Sequence, residues 1–162
     1  ELDTKCFSSE KANSATLEIN GIENVERWLN MSIPDVYSAE LSEFVFASGL
    51  KLLEEWFPDV MYLSTTDYIQ HKYAPEDKEA IKFLTMIDNY LSEIIKFDVT
   101  IVITADHGMS AKHDKNGDPQ IVFIQDFFDE VFGINSTNVI LPITDPYVVH
   151  HGALGSLMDD LG

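Results

Sequence analysis

The sequence predicts an α/β fold in which helices flank a core of parallel strands. Two apolar runs, residues 60–63 and 99–105, have the length and composition of buried strands. Residues 75–97, which lie between them, carry apolar side chains at helical spacing. A strand, a helix and a second strand in this order form a right-handed crossover unit, whose two strands run parallel.

Two further helices are predicted before the first strand. Residues 22–29 form a short amphipathic segment, and residues 38–56 place Leu41, Phe44 and Leu53 on one face. The second helix ends before Pro58, because proline cannot continue an α-helix. In the crossover helix, the predicted apolar stripe consists of Ile81, Leu84, Ile87, Leu91, Ile94 and Ile95.

The last third of the chain alternates polar loops with short apolar segments. Residues 110–119 predict a surface loop with a turn at Asn116-Gly117. The elements predicted after this loop are a strand over residues 121–124, a helical turn over 127–132, an edge strand over 139–143 and an extended segment at 147–149. The edge position of residues 139–143 follows from Pro142, which has no N–H group for a sheet ladder.

Length and composition restrict the classes of partner. A chain of 162 residues with 45% apolar residues can bury one sizeable core. The formal net charge of −18 argues against nucleic acid, whose phosphates require clustered basic residues. No apolar run approaches the roughly 20 residues of a membrane span. Cys6 is the only cysteine and no secretory signal is visible, so we expect no internal disulfide and a cytoplasmic location.

Two aspartate–histidine pairs follow the two predicted parallel strands. Asp67 and His71 come after the first strand, and Asp106 and His107 come after the second. Carboxylate oxygen and imidazole nitrogen are both ligands of Zn²⁺. The carboxyl ends of parallel strands lie at one edge of the sheet, where open α/β sheets bind their ligands. Either pair alone is common by chance, but together they predict a two-metal site at this edge, with a turn at Gly108.

The two pairs and their flanking residues resemble the alkaline phosphatase superfamily. Asp67-x-x-x-His71 followed by Thr104-Ala-Asp-His-Gly-Met109 is similar to the metal-binding core of that superfamily. Within it, the stretches at residues 34–41, 62–72 and 141–152 resemble the phosphonoacetate hydrolases. This resemblance extends over nearly the whole chain, and it implies a partial alkaline phosphatase-like catalytic domain over residues 1–162, in which residues 145–162 begin a cap region.

The resemblance also implies an activity and a set of site residues. Phosphonoacetate hydrolases cleave the carbon–phosphorus bond of phosphonoacetate, a small phosphonate, with two Zn²⁺ ions and a threonine nucleophile. Asp67 and His71 would bind one ion, and Asp106 and His107 the other. The nucleophilic threonine would precede Glu1 and the last histidine ligand would follow Gly162, so we expect this segment to be inactive alone. Exposed sheet edges would also favour its association into a homodimer.

Other polar residues near the pairs have less specific predicted roles. Thr65, Thr66 and Thr104 are interpreted as strand-end hydroxyl groups that orient the ligands rather than as nucleophiles. The lysines nearest the ligands in sequence, Lys72 and Lys112, are interpreted as solvated. His150 and His151 fit a hydrogen-bonded loop pair better than a further zinc ligand.

Two alternative functions are consistent with these observations. An enzyme of the same superfamily could act on a phosphodiester or a phosphomonoester, because the Asp and His pairs specify only the superfamily. The chain could instead be a non-catalytic acidic domain that binds metal. The nucleophile segment and its lysines would distinguish the first alternative, and hydrolysis of phosphonoacetate would exclude the second.

Overall fold

The computed structural model describes residues 4–120, 124–134, 143–144 and 147–148. The chain divides into two compact units, Glu1–Ala111 and Lys112–Gly162. Both predicted strands that precede the aspartate–histidine pairs, and all four residues of the pairs, belong to the first unit.

The first unit is built mainly from helices. They are a 3-10 helix at Ser9–Ser14, α1 at Leu17–Asn20, α2 at Val25–Leu29, α3 at Glu40–Glu55, α4 at Tyr68–Lys72 and α5 at Lys78–Ile94. The predicted helices over residues 38–56 and 75–97 are therefore confirmed as α3 and α5, each shorter at both ends. The short α4 lies between these two helices, in a segment for which we predicted no helix.

Helix α3 contributes to two apolar clusters. Phe44 is fully buried and packs with Val25 and with residues of the N-terminal helices. Phe46 and Leu53 pack with Ile94 of α5 in the second cluster. Because α3 is covered on more than one side, its buried residues include the small polar Ser42 and Ser48 as well as large apolar ones.

The apolar stripe predicted for α5 is partly wrong. Ala80, Phe83 and Ile94 are the buried residues of this helix, with Ile87 and Leu91 half-buried beside them. Three residues of the predicted stripe are exposed instead, namely Ile81, Leu84 and Ile95. Two apolar sets recur at helical spacing on α5, and the set that includes Phe83 and Ile87 is the one that packs against neighbouring elements.

The two predicted strands of the crossover unit, residues 60–63 and 99–105, contain no helix and form no ladder within the described residues. We call them the extended segments because of how their side chains alternate. Met61 and Leu63 from residues 60–63, and Val99 and Ile101 from residues 99–105, pack on the cluster of α3 and α5. Val102, in contrast, is 83% exposed. Alternating covered and exposed side chains are typical of a strand with one buried face. The parallel arrangement of these segments therefore remains a prediction.

Helix α3 approaches the first extended segment very closely. A Cβ atom on Gly49 would lie 2.6 Å from Leu63 Cδ1 and 2.8 Å from Leu63 Cδ2. These distances are far below an ordinary carbon–carbon contact of about 3.5–4.0 Å. The glycine therefore allows the helix to support the segment that leads to Asp67.

The second unit contains α6 at Ile124–Phe132 and a two-stranded antiparallel sheet of β1 at Ile143–Thr144 and β2 at Tyr147–Val148. The predicted strand over residues 121–124 is wrong at Ile124, which begins α6, and residues 121–123 lie outside the described residues. Residues 139–142 and 149, which belong to the other predicted segments, also lie outside the described residues. The predicted turn at Asn116-Gly117 is confirmed, with Gly117 at a φ of +89°.

Candidate metal centre

The first aspartate–histidine pair is assembled by one turn of helix. Asp67 lies immediately before α4, and the His71 N–H donates to the Asp67 carbonyl oxygen at 2.9 Å. This turn brings His71 Nε2 within 3.2 Å of Asp67 Oδ2. Helix α4 is anchored by Ile69, which is buried against Ala80 and Phe83 of α5. The helical turn that the spacing of this pair requires is therefore present.

The residue before Asp67 is held by helix α3. The Thr66 N–H donates to Ser42 Oγ at 3.2 Å, and the two hydroxyl oxygens are 3.3 Å apart. Ser42 is fully buried. This contact holds the backbone next to Asp67 through a residue 24 positions earlier in the chain. The orienting role of the Thr66 hydroxyl stays a prediction.

The second pair is formed by adjacent residues at a bend in the chain. His107 Nε2 lies 3.8 Å from Asp106 Oδ2, and the His107 N–H donates to Asp106 Oδ1 at 3.1 Å. His107 Nδ1 is 3.0 Å from the Gly108 carbonyl oxygen. A hydrogen bond from Nδ1 to this carbonyl leaves Nε2 with the lone pair that a metal ion requires.

We expected a turn that needs glycine at position 108. Neither a left-handed backbone conformation nor a close contact requires glycine there. A Cβ atom at this position would meet nothing within 4 Å, and its φ is not in the positive range. The bend that separates the two ligands occurs at Asp106 itself. The change of direction therefore depends on the aspartate and on its hydrogen bond to the His107 N–H.

The two pairs lie next to each other. The ring centroids of His71 and His107 are 6.3 Å apart, with an angle of 84° between the ring planes. The side chains of Asp67 and Asp106 are 80% and 84% exposed, so both carboxylates are accessible to a solvated ion. The structure thus places the two histidines of the predicted pairs beside each other, and the binding of metal by the four residues stays a prediction.

The donor separations fit two zinc ions. Two donors bound at about 2.0–2.1 Å in tetrahedral geometry are about 3.3 Å apart. The Nε2–Oδ2 distances of 3.2 and 3.8 Å in the two pairs are close to this value. Within the residues that the structure describes, no group of three or more His, Cys, Asp or Glu side chains forms a metal site. Each pair alone would supply two of the four donors of a tetrahedral ion.

The structure describes other candidate residues and their exposure. Thr65 and Thr104 are both exposed. Lys72, which was predicted to be solvated, is exposed but donates to Tyr68 Oη at 2.6 Å, and this hydrogen bond raises the pKa of Lys72. Side chains four residues apart lie on the same face of a helix, so this contact could have been predicted from the sequence. His150 and His151 lie outside the described residues.

The chain matches a known family over most of its length. Residues 10–154 match the model of the type I phosphodiesterase / nucleotide pyrophosphatase family. A human protein, the catalytic subunit of GPI ethanolamine phosphate transferase 3, is 26% identical over 95 residues, which represent 57% of this chain and 8% of the human protein.

Solved structures give a closer match. The phosphonoacetate hydrolase of Sinorhizobium meliloti 1021, in complex with phosphonoformate, is 57% identical and has a TM-score of 0.71. The match covers 92% of this chain and 36% of that one. The complex of the same enzyme with phosphonoacetate is 56% identical with a TM-score of 0.71, over 90% of this chain and 35% of that one.

These matches confirm the predicted resemblance and the alkaline phosphatase-like fold. The chain spans about a third of the length of the solved phosphonoacetate hydrolase chains. The described residues contain no helix that is both long and apolar enough to span a membrane. The chain belongs to the type I phosphodiesterase / nucleotide pyrophosphatase family.

Proposed function

We propose that this chain contributes half of the di-zinc centre of an enzyme that hydrolyses phosphonoacetate to acetate and phosphate. The proposal is carried by the two adjacent pairs, whose donor separations of 3.2 and 3.8 Å suit one zinc ion each. The 57% identity to the Sinorhizobium meliloti phosphonoacetate hydrolase supports this substrate over others of the family. Asp67 and His71 would hold one ion, and Asp106 and His107 the other.

The chemistry explains why two divalent ions are needed. Ions held by these pairs would supply the positive charge that a phosphonate dianion and an attacking oxygen require. The ligand side chains place two carboxylate charges at the centre, which offset part of the four positive charges of the ions. In a chain with a formal net charge of −18, this centre would be the local attraction for a dianionic phosphonate.

Zinc binding by matched variants tests the ligand assignment. We expect Asp106→Ala and His107→Ala each to weaken zinc binding by at least about tenfold, because each removes one of few protein donors. Asp98→Ala and His113→Ala are the controls, since both residues are exposed and neither belongs to a pair. The measurement is the zinc content after equilibrium dialysis of the full-length protein over a range of free zinc concentrations. Equal affinity in all four variants would contradict the assignment.

A rate measurement tests the substrate. Release of phosphate from phosphonoacetate by the zinc-loaded full-length protein, lost in Asp106→Ala and retained in Asp98→Ala, is the expected result. The family description favours a second candidate, a phosphodiesterase. Hydrolysis of bis-p-nitrophenyl phosphate without any release of phosphate from phosphonoacetate would favour that candidate and contradict the proposed substrate.

A further inference from the structure

The chain contains two asparagine–glycine dipeptides. Asn20 and Asn116 are the asparagines that are followed directly by glycine. At such a dipeptide the glycine nitrogen can attack the side-chain amide carbon of the asparagine, because glycine has no Cβ atom to obstruct the approach. Both glycines have a positive φ, +66° at Gly21 and +89° at Gly117. The two dipeptides therefore differ mainly in the contacts that surround them.

Asn20 is held by hydrogen bonds to two other parts of the first unit. Its side-chain oxygen accepts from the Thr16 N–H at 2.9 Å, and its side-chain nitrogen donates to the Cys6 carbonyl oxygen at 2.7 Å. The Gly21 N–H donates to a carbonyl oxygen of α1, and the Thr4 carbonyl oxygen fills the space beside this glycine. Attack on the Asn20 side chain therefore requires several contacts to break together.

Asn116 depends on Asp114, a residue of its own turn. The Asp114 carboxylate accepts from the Asn116 N–H at 2.7 Å and from the Asn116 side-chain nitrogen at 3.1 Å. The Gly117 N–H donates to the Asp114 carbonyl oxygen at 3.0 Å. Asn116 and Gly117 are both exposed, and a Cβ atom on Gly117 would meet nothing within 4 Å. An exposed turn opens locally at a lower free energy than a packed region does.

We propose that Asn116 is a site of spontaneous deamidation and that Asp114 limits its rate. The Gly117 nitrogen forms a bond to Asn116 Cγ, and Nδ2 leaves as ammonia with the proton that the Gly117 nitrogen loses. Water then opens the cyclic imide at one of its two carbonyl groups, which yields aspartate or isoaspartate without any oxidation or reduction. The contacts with Asp114 slow the first step, because they hold the leaving amide and keep the Gly117 N–H hydrogen-bonded.

The carboxylate that holds Asn116 is charged at neutral pH. Hydrogen bonds from the Asp118 and Asn116 N–H groups lower the pKa of Asp114. After conversion, residue 116 carries a carboxylate in place of the amide, which cannot donate to Asp114 and is repelled by it. The product therefore holds the turn less firmly than asparagine does.

Peptide mapping by mass spectrometry tests the site. The full-length protein would be incubated at neutral pH, and conversion of each asparagine to the acid would be followed by the accompanying mass difference. We expect conversion at Asn116 to be at least about tenfold faster than at Asn20, since Asn20 has to give up hydrogen bonds to more distant residues. In concentrated urea the two should convert at similar rates, because both precede glycine. Equal rates in the folded protein, or conversion of Asn116 in urea alone, would overturn the proposal.

Two matched variants test the role of Asp114. Asp114→Ala should accelerate conversion of Asn116 about tenfold, the factor that corresponds to the loss of one charge-assisted hydrogen bond. Asp118→Ala is the control, because it removes the same charge from the same exposed turn but keeps the backbone groups that bond to Asp114. Equal rates in the two variants would exclude a specific role of Asp114. Neither residue is a predicted metal ligand, so these outcomes are independent of the proposed function.

Discussion

The helices of the first unit and the two extended segments that they support differ in how completely their apolar side chains are covered. Phe44 and Leu53 of α3 are 0% and 3% exposed, whereas Val60 and Val102 of the extended segments are 88% and 83% exposed. The ligand pairs follow the extended segments, not the well-covered parts of the helices. The helices thus provide most of the buried apolar side chains among the described residues, and the predicted metal ligands follow the less completely covered segments.

This difference has an energetic meaning. Regions with few buried apolar contacts open at lower free energy than the core. We therefore expect substitutions in the helical layer to change global stability, and substitutions at the contacts between the two regions to change zinc binding more than stability. Three predictions test this division, in order of decreasing effect.

The largest effect should come from Phe44. Phe44→Ala should lower the free energy of unfolding by about 3–5 kcal/mol, because it removes a fully buried aromatic ring and leaves a cavity. Val102→Ala is the matched substitution in an extended segment and should change stability by less than about 0.5 kcal/mol. Urea unfolding followed by circular dichroism would measure both. Comparable losses would show that the exposed face of the extended segment is covered in solution.

Ser42 should show the coupling between the two regions. Ser42→Ala removes the acceptor for the Thr66 N–H and should cost about 1 kcal/mol of stability. Because Thr66 precedes Asp67, we also expect zinc binding to weaken by a few fold. Ser48→Ala is the control, since Ser48 is also buried on α3 but donates to the Phe44 carbonyl oxygen within its own helix. Equal zinc affinity in Ser42→Ala and Ser48→Ala would contradict a role of the Ser42–Thr66 contact in zinc binding.

The smallest effect concerns Tyr90, which links α5 to α3. Burial, and then the nearby carboxylate of Glu43, raise the pKa of Tyr90. Since the neutral phenol is favoured in the folded state, stability is retained below the unfolded-state pKa of about 10 and decreases as the pH rises above it. Tyr90→Phe should flatten the alkaline limb of a plot of unfolding free energy against pH. An unchanged alkaline limb would contradict this role.

Helices were the best-predicted part of the fold because their signals are local. The apolar periodicity and the residues that end a helix specified α3 and α5 to within a few residues. The same periodicity could not decide which side of α5 is buried, since Ile81 and Phe83 both belong to regularly spaced apolar sets. Only the position of the neighbouring elements makes Phe83 a core residue.

The two aspartate–histidine pairs could be recognised in the sequence for a similar reason, and their role as metal ligands stays a prediction. Asp67 and His71 are four residues apart, and Asp106 and His107 are adjacent, so each pair is visible in a short stretch of sequence. The contact of Ser42 with Thr66 joins residues 24 positions apart and has no local signal. Strand pairing also depends on distant partners, and for residues 60–63 and 99–105 it stays a prediction.

The single turn of α4 has a consequence for the order of metal binding. Asp67 and His71 are fixed by helix formation, so the conformational entropy of bringing these ligands together is lost during folding rather than during chelation. Asp106 and His107 lie outside any helix, and a larger part of their ordering remains for the moment of binding. On the proposed function, in which each pair holds one zinc ion, we therefore expect stepwise uptake, with the ion at Asp67 and His71 bound first and the more tightly.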